Sequence, residues 1–230
     1  MINYSDLIYD LIVAAIFFLW IFFVLIFVSK KLYFSILKTG RSKESSSYFS
    51  RKIIHILAGG VFLAFPFVFR EIIVPISFSF FVGILLYLKH LKENRYFWFQ
   101  EKYRKSEVIF CFSAGITIAV GWITTKSMWI GIIPVLFMAL GDGVTGIVRN
   151  LKYGKQKKYW EGSIAMFIIS AIIGGIKFGP VGIIAALGAT LVERLNLIDD
   201  NISIPFVSLG ILLFFYFFFP LFFNFFGPNF

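Results

Sequence analysis

The chain has 230 residues, of which 59% are hydrophobic, 20% aromatic and only 15% charged. A soluble domain is about 45–50% apolar and ~25% charged, so these proportions, with 32 phenylalanines, exclude disorder and argue against an ordinary soluble globule. The formal charge of +10 would suggest nucleic acid in a soluble protein. Here the basic residues serve membrane topology and anionic headgroups first, and no nucleic-acid partner is expected.

A membrane-spanning helix needs roughly 20 mostly apolar residues. Apolar runs fall at 7–28, 53–69, 71–88, 107–125, 127–148, 163–178, 180–198 and 203–226. They predict an all-α, polytopic membrane protein of about eight transmembrane helices. Seven is the alternative if 163–198 forms one re-entrant unit. Little is left for a separate soluble domain, so a single integral membrane domain is expected over residues 1–230. The first run has Asp6 and Asp10 near its start and no Lys or Arg before Lys30. Lacking a basic n-region and ending in Lys30-Lys31, it reads as a retained helix. The short polar segment Ser42–Ser50 reads as a linker. The single cysteine, Cys111, lies in an apolar run and offers neither a disulfide framework nor a thiolate metal site. The phenylalanine-rich last run reads as lipid contact.

Of the 22 lysines and arginines, all but Arg70, Lys126 and Lys177 follow odd-numbered runs. By the positive-inside rule those loops are expected in the cytoplasm and both termini outside.

Four polar clusters interrupt this background. In Arg51-Lys52-Ile53-Ile54-His55 the three polar side chains share one helical face. Their bland reading is two topology charges and a satisfied histidine. Asp142 ends a long apolar run within Gly141-Asp142-Gly143, and an embedded carboxylate costs roughly 2.5–3.5 kcal/mol on insertion scales. Thr145 and Arg149 extend its face, and an Asp142–Arg149 ion pair is the structural alternative. Residues 141–146 also match G-x-G-x-x-G, but they end an apolar helix with no strand before them, so a dinucleotide fold is rejected. The third cluster, Lys155 to Ser163, brings Lys158, Glu161, Gly162 and Ser163 to a helix start suited to phosphate. A basic loop with an interfacial Trp160 and a helix cap is its bland reading. In the fourth, Thr190 and Glu193 precede Asp199-Asp200-Asn201, an oxygen-rich set suited to a hard cation, or else a solvated turn with a cap. Under the expected topology all four clusters lie at the cytoplasmic face. Carboxylates and cations gathered there suit a magnesium–triphosphate complex, with a lipid acceptor arriving from the bilayer.

At these residues the sequence resembles the polyprenol kinase family, which includes dolichol kinases, phytol kinases and CTP-dependent diacylglycerol kinase. The resemblance runs over about residues 50–208 and is carried by Arg51-Lys52-x-x-His55, Gly141-Asp142-Gly143, Glu161-Gly162-Ser163, and Ala189-Thr190-x-x-Glu193 followed by Asp199-Asp200-Asn201. Residues 1–49 would then be the first span and a basic loop, and 209–230 the remainder of the last span. The resemblance implies a compact, phytol-kinase-like enzyme that uses CTP and Mg²⁺, or another divalent cation, to phosphorylate a membrane isoprenoid alcohol. Phytol, geranylgeraniol and longer polyprenols all stay open as substrates. It implies metal ligation by Asp142, Glu193, Asp199, Asp200 and Asn201. Nucleotide or phosphate contacts are implied from Arg51, Lys52, Lys158, Glu161, Gly162, Ser163 and Thr190. His55, Asp142 and Glu193 are implied in catalysis, His55 as a base or hydrogen-bond partner of the attacking hydroxyl. Thr145, Arg149 and Tyr159 depart from the family pattern, where smaller residues are common. A lipid cytidylyltransferase and a small-solute transporter are the alternatives.

Overall fold

The computed structural model describes residues 3–92, 95–101, 105–153, 159–195 and 198–226. Their regular structure is helical throughout. Seven helices are long and apolar enough to cross a membrane: α1 (Tyr4–Lys38), α2 (Lys43–Val68), α3 (Ile73–Leu91), α4 (Ser106–Thr125), α5 (Met128–Tyr153), α6 (Trp160–Leu195) and α7 (Asp200–Phe218). A short α8 (Pro220–Phe226) follows. Backbone polar groups in lipid must be satisfied internally, so a chain this apolar closes its hydrogen bonds within helices. The protein is a polytopic helical membrane protein. Ile8, Leu11, Ile12, Ile16 and Leu19 of α1 face outward and are exposed, as lipid contact requires.

α6 reconciles the seven helices with the eight apolar runs. A straight helix of its length would hold Ser163 and Glu193 about 45 Å apart at ~1.5 Å per residue. Arg149 hydrogen-bonds both side chains. The helix therefore folds back on itself, at Phe178 and Gly179. Gly179 has φ 54° and ψ −136°, which a residue with a side chain rarely adopts, and Pro180 starts the return arm. The two arms pack backbone to backbone at Gly174 and Gly182, where a Cβ on either would strike the other's carbonyl. Lys177 near the turn lies 4.2 Å from the Trp129 ring at the start of α5, so the turn reaches the end of the bundle away from Arg149.

α5 is the axis of the bundle. In its apolar window 83% of residues are buried, against 22–50% in the other six helices. Its first half lies against α4, where Gly121 and Gly131 bring the two backbones together; a Cβ on Gly121 would lie 2.5 Å from the Gly131 nitrogen. Pro134 and a π turn at Phe137–Gly141 then break the regular ladder just before Asp142. A second π turn, Val24–Val28, interrupts α1. There the Leu25 carbonyl accepts from Trp98 Nε1 at 3.0 Å and from Ser29 Oγ at 2.6 Å.

Two expectations need correction. The segment Ser42–Ser50 is no linker: Ser42 caps α2 by accepting from the Ser45 amide, and the helix runs on from Lys43. Ser45, Ser46 and Ser50 are buried, with Ser50 donating to Ser29 and Ser46 carbonyls and Ser45 to Asn150 Oδ1. Hydrogen bonds, not hydropathy, hold this part of the helix inside. The last apolar run also breaks, at Phe219 and Pro220, where proline lacks the amide to continue the ladder.

Candidate functional site

The C-terminal half of α5, the N-terminal half of α2, both ends of α6 and the first turn of α7 meet at one end of the bundle. Three carboxylates converge there. Asp142 of α5, Glu193 of the return arm of α6 and Asp200 of α7 each offer an oxygen, and these oxygens lie within 4.8 Å of one another. Two such charges repel by about 3.5 kcal/mol at that separation for an effective dielectric of ~20. The fold opposes this with buried cations. Lys52 Nζ lies 2.6 Å from Asp142 Oδ2. Arg149 donates through Nη1 to Glu193 Oε1 at 2.6 Å and through Nη2 to Oε2 at 3.2 Å, a bidentate pair. Nη2 also reaches Ser163 Oγ at 3.2 Å and the Tyr159 carbonyl at 3.3 Å.

Two glycines make room for the cations. A Cβ on Gly146 would collide with the aliphatic stem of Lys52, and one on Gly162 with the guanidinium of Arg149. Thr145 Oγ1 ties α5 to α6 by donating to the Gly162 carbonyl at 3.0 Å. The bulk of Arg149 is thus absorbed by a missing side chain on the neighbouring helix.

His55, one turn after Lys52 on α2, brings Nδ1 to 3.6 Å from Asp142 Oδ2, beyond hydrogen-bond range. That nitrogen is buried and has no hydrogen-bond partner among the described residues. The ring packs against Phe110, with centroids 4.9 Å apart.

The remaining sequence candidates divide. Arg51 turns away from the carboxylates to pair with Glu101 at 2.6 Å. Glu161 accepts from Lys152 Nζ at 2.5 Å and Tyr153 Oη at 2.6 Å, both on α5. Asp199 caps α7 by accepting from the Asn201 amide at 3.0 Å and also accepts from Ser106 Oγ at 3.2 Å. Asn201 donates to the Ser106 carbonyl at 3.2 Å. These two residues anchor α7 to α4, whereas Asp200 joins the carboxylate cluster. Thr190 donates within its own helix to the Ala186 carbonyl. Lys158 lies outside the described residues.

The alternative pairing of Asp142 with Arg149 is corrected: Lys52 pairs with Asp142, and Arg149 with Glu193. Two polar assemblies escaped the sequence reading. One locks Arg41 to Asn150 Oδ1 at 2.6 Å beside Ser45. The other joins His90 Nε2 and Gln100 Nε2 to Glu107 Oε1 at 2.6 and 2.8 Å. Glu107 and His90, in or at the end of apolar runs, were the available signal for the second.

Oxygen donors from three carboxylates fit a hard divalent cation, which typically takes one or two carboxylates and fills its shell with water or phosphate oxygens. The neighbouring lysine and arginine fit polyanion binding.

The chain is similar to plant proteins described as phytol kinases. It is 27% identical over 201 residues to a probable chloroplastic phytol kinase of Triticum aestivum, covering 70% of this chain and 65% of that protein. Probable phytol kinase 2, chloroplastic, of Glycine max is 27% identical over 187 residues, 70% of this chain and 63% of the relative. A probable chloroplastic phytol kinase of Zea mays is 33% identical over 105 residues, 35% of this chain and 34% of the relative. The chain thus spans just under two thirds of the length of the first two relatives. No family model matches it, and no solved structure does. The resemblance to phytol and polyprenol kinases, read from four short motifs, extends over 70% of the chain.

Proposed function

We propose that the protein is a kinase of an isoprenoid alcohol, with CTP as donor and Mg²⁺ or another divalent cation at Asp142 and Asp200. The observation that carries this reading is the convergence of Asp142, Glu193 and Asp200 within 4.8 Å, beside Lys52 and Arg149, at one end of a membrane bundle. Similarity to phytol kinases supports the acceptor class; CTP rests on the family resemblance of the motifs.

Phosphoryl transfer asks little covalent chemistry of the protein and depends on positioning and charge stabilisation. Asp142 and Asp200 would hold the cation, which supplies charge neutralisation for the triphosphate when bound. Lys52, already at Asp142, lies where it can share its charge with a phosphate oxygen. Glu193 is gripped by Arg149 through both oxygens, so its part is to fix that guanidinium and the two arms of α6. In the reaction the alcohol oxygen forms a bond to the γ-phosphorus, the bond from that phosphorus to the β–γ bridging oxygen breaks, and the nucleoside diphosphate leaves. His55 Nδ1, or water at the mouth of the site, takes the hydroxyl proton. Arg51, with its half-buried partner Glu101, is a rim charge for the incoming nucleotide.

The test is to incubate the purified protein with γ-labelled CTP or ATP, Mg²⁺ and a panel of prenols. Labelled prenyl monophosphate is expected, strongest with CTP and abolished by chelation. Asp142→Asn should lower the rate at least about 100-fold, the scale at which loss of a charge-stabilising group is felt. A CDP-lipid with pyrophosphate as co-product would identify a cytidylyltransferase, and a folded Asp142→Asn variant of near wild-type rate would remove the metal assignment.

A further inference from the structure

Beneath His55 an apolar slot opens between α1, α2, α3 and α4, holding about 550 Å³ of empty space with its open side included. Ile54, Phe62, Phe78, Val82, Leu86 and Phe110 are among the side chains of its wall. Its polar lining groups are few. Ser79 Oγ is engaged by the Pro75 carbonyl at 2.9 Å, and Glu107 Oε1 accepts from His90 and Gln100. His55 is the exception, because its Nδ1 is buried and without a hydrogen-bond partner among the described residues. A buried polar atom left in that state costs free energy that a hydroxyl would recover. His55 also stands in the wall between the slot and the carboxylate cluster: it lines the former and lies 3.6 Å from Asp142 of the latter.

We infer that this slot holds the hydrocarbon tail of the alcohol substrate, with the hydroxyl at His55 Nδ1. The inference rests on the kinase reading and adds to it a tail site and an orientation. A nucleotide does not suit the slot, since carbon walls leave phosphate and base unsatisfied. A chain of isoprene units does, because it is apolar along its length and polar at one end. The geometry sets the polarity. Leu86 lies near the α3 end that carries His90, and Ser79 lies seven residues earlier, about 10 Å along the helix. The tail therefore runs from His55 away from the charged end, along α3 toward Phe78 and Phe62. Longer alcohols extend past that level, and side chains there act on the far part of the tail.

The test fills the distal end of the slot. Ser79→Phe and, separately, Val82→Phe are assayed with a twenty-carbon and a ten-carbon prenol. The kcat/KM for the longer alcohol is expected to fall about tenfold or more relative to the shorter, in the range that small changes in an apolar pocket produce. Ile84→Phe, on the outward face of the same helix at 48% exposure, should leave the ratio unchanged. In parallel, a prenol with a diazirine in its tail is photolysed with the wild-type protein and the labelled peptides sequenced. Label on the slot residues of α2, α3 and α4, competed by unmodified prenol but not by phospholipid, is expected. An unchanged chain-length ratio in both filled variants, or label confined to the outer face of α3, overturns the slot while leaving the kinase reading intact. A wild-type protein that phosphorylates no prenol overturns the kinase reading instead. The photolabelling then judges the tail site without reference to turnover or to the folding of any variant.

Discussion

At the level of single residues, the site is a set of buried charges that hold one another in place. Glu193 is fully buried and binds Arg149 through both carboxylate oxygens. Removing one partner of such a pair strands the other's charge, at a cost of roughly 3–5 kcal/mol. Glu193→Gln should therefore lower the midpoint of thermal unfolding in detergent substantially. The double change Glu193→Gln with Arg149→Met should regain most of that loss, because it strands no charge. A single variant that melts with the wild type would show that the pair carries no structural weight. This pairing was not legible in the sequence. Asp142, Arg149, Lys52 and Glu193 were each visible as charges out of place in apolar runs, because the membrane makes an isolated ion conspicuous. Which of them meet was not, since helical periodicity relates residues a few positions apart. Lys52 and Asp142 are 90 positions apart, and Arg149 and Glu193 are 44. Asp199 and Asp200 show the same gap: adjacent in sequence, one caps a helix and the other faces the cluster.

Among the helices, hydropathy located what lipid contact demands and missed what hydrogen bonds supply. The eight apolar runs fall on the seven long helices, one of them doubled, and the end of the last run forms the separate α8. The N-terminal turns of α2 went unread because their serines are buried by mutual hydrogen bonds. The fold in α6 was foreshadowed by Gly179-Pro180, but its consequence, the meeting of Ser163 and Glu193 at Arg149, lay beyond reach of a local signal. That fold depends on backbone contact between its arms. A methyl on Gly182 would fall on the Gly174 carbonyl. Gly182→Ala is expected to destabilise the protein by about 1–3 kcal/mol, the usual scale of overpacking. Gly210→Ala in α7 makes the same exchange where a Cβ meets nothing within 4 Å, and should be neutral or stabilising by up to ~1 kcal/mol. Thermal unfolding of the two variants side by side distinguishes close packing from a general effect of losing glycine. Equal midpoints would mean that the arms of α6 do not touch.

For the molecule as a whole, the charged cluster lies at one end of the bundle, with His55 between it and the tail slot, and the orientation of that end decides which compartment supplies the nucleotide. Thr39 ends α1 beside the cluster end, near the Arg41–Asn150 lock, and Lys126 caps α4 at the opposite end. Both are exposed. In a Cys111→Ala background, Thr39→Cys and Lys126→Cys can be probed with a membrane-impermeant maleimide on sealed vesicles of known sidedness. The distribution of lysine and arginine predicts labelling of Thr39→Cys from the cytoplasmic side only and of Lys126→Cys from the other side only. The two outcomes that break this expectation carry different meanings. Reversal of both sites would keep the bundle and turn it over, so that nucleotide would have to come from the non-cytoplasmic compartment. Labelling of both sites from one side would contradict the fold itself, because three helices, α2, α3 and α4, separate Thr39 from Lys126, and an odd number of crossings places the two on opposite sides. The opposed labelling of these two residues therefore tests the helical bundle, and its direction tests the access route of the triphosphate to Asp142, in a single measurement that does not depend on activity.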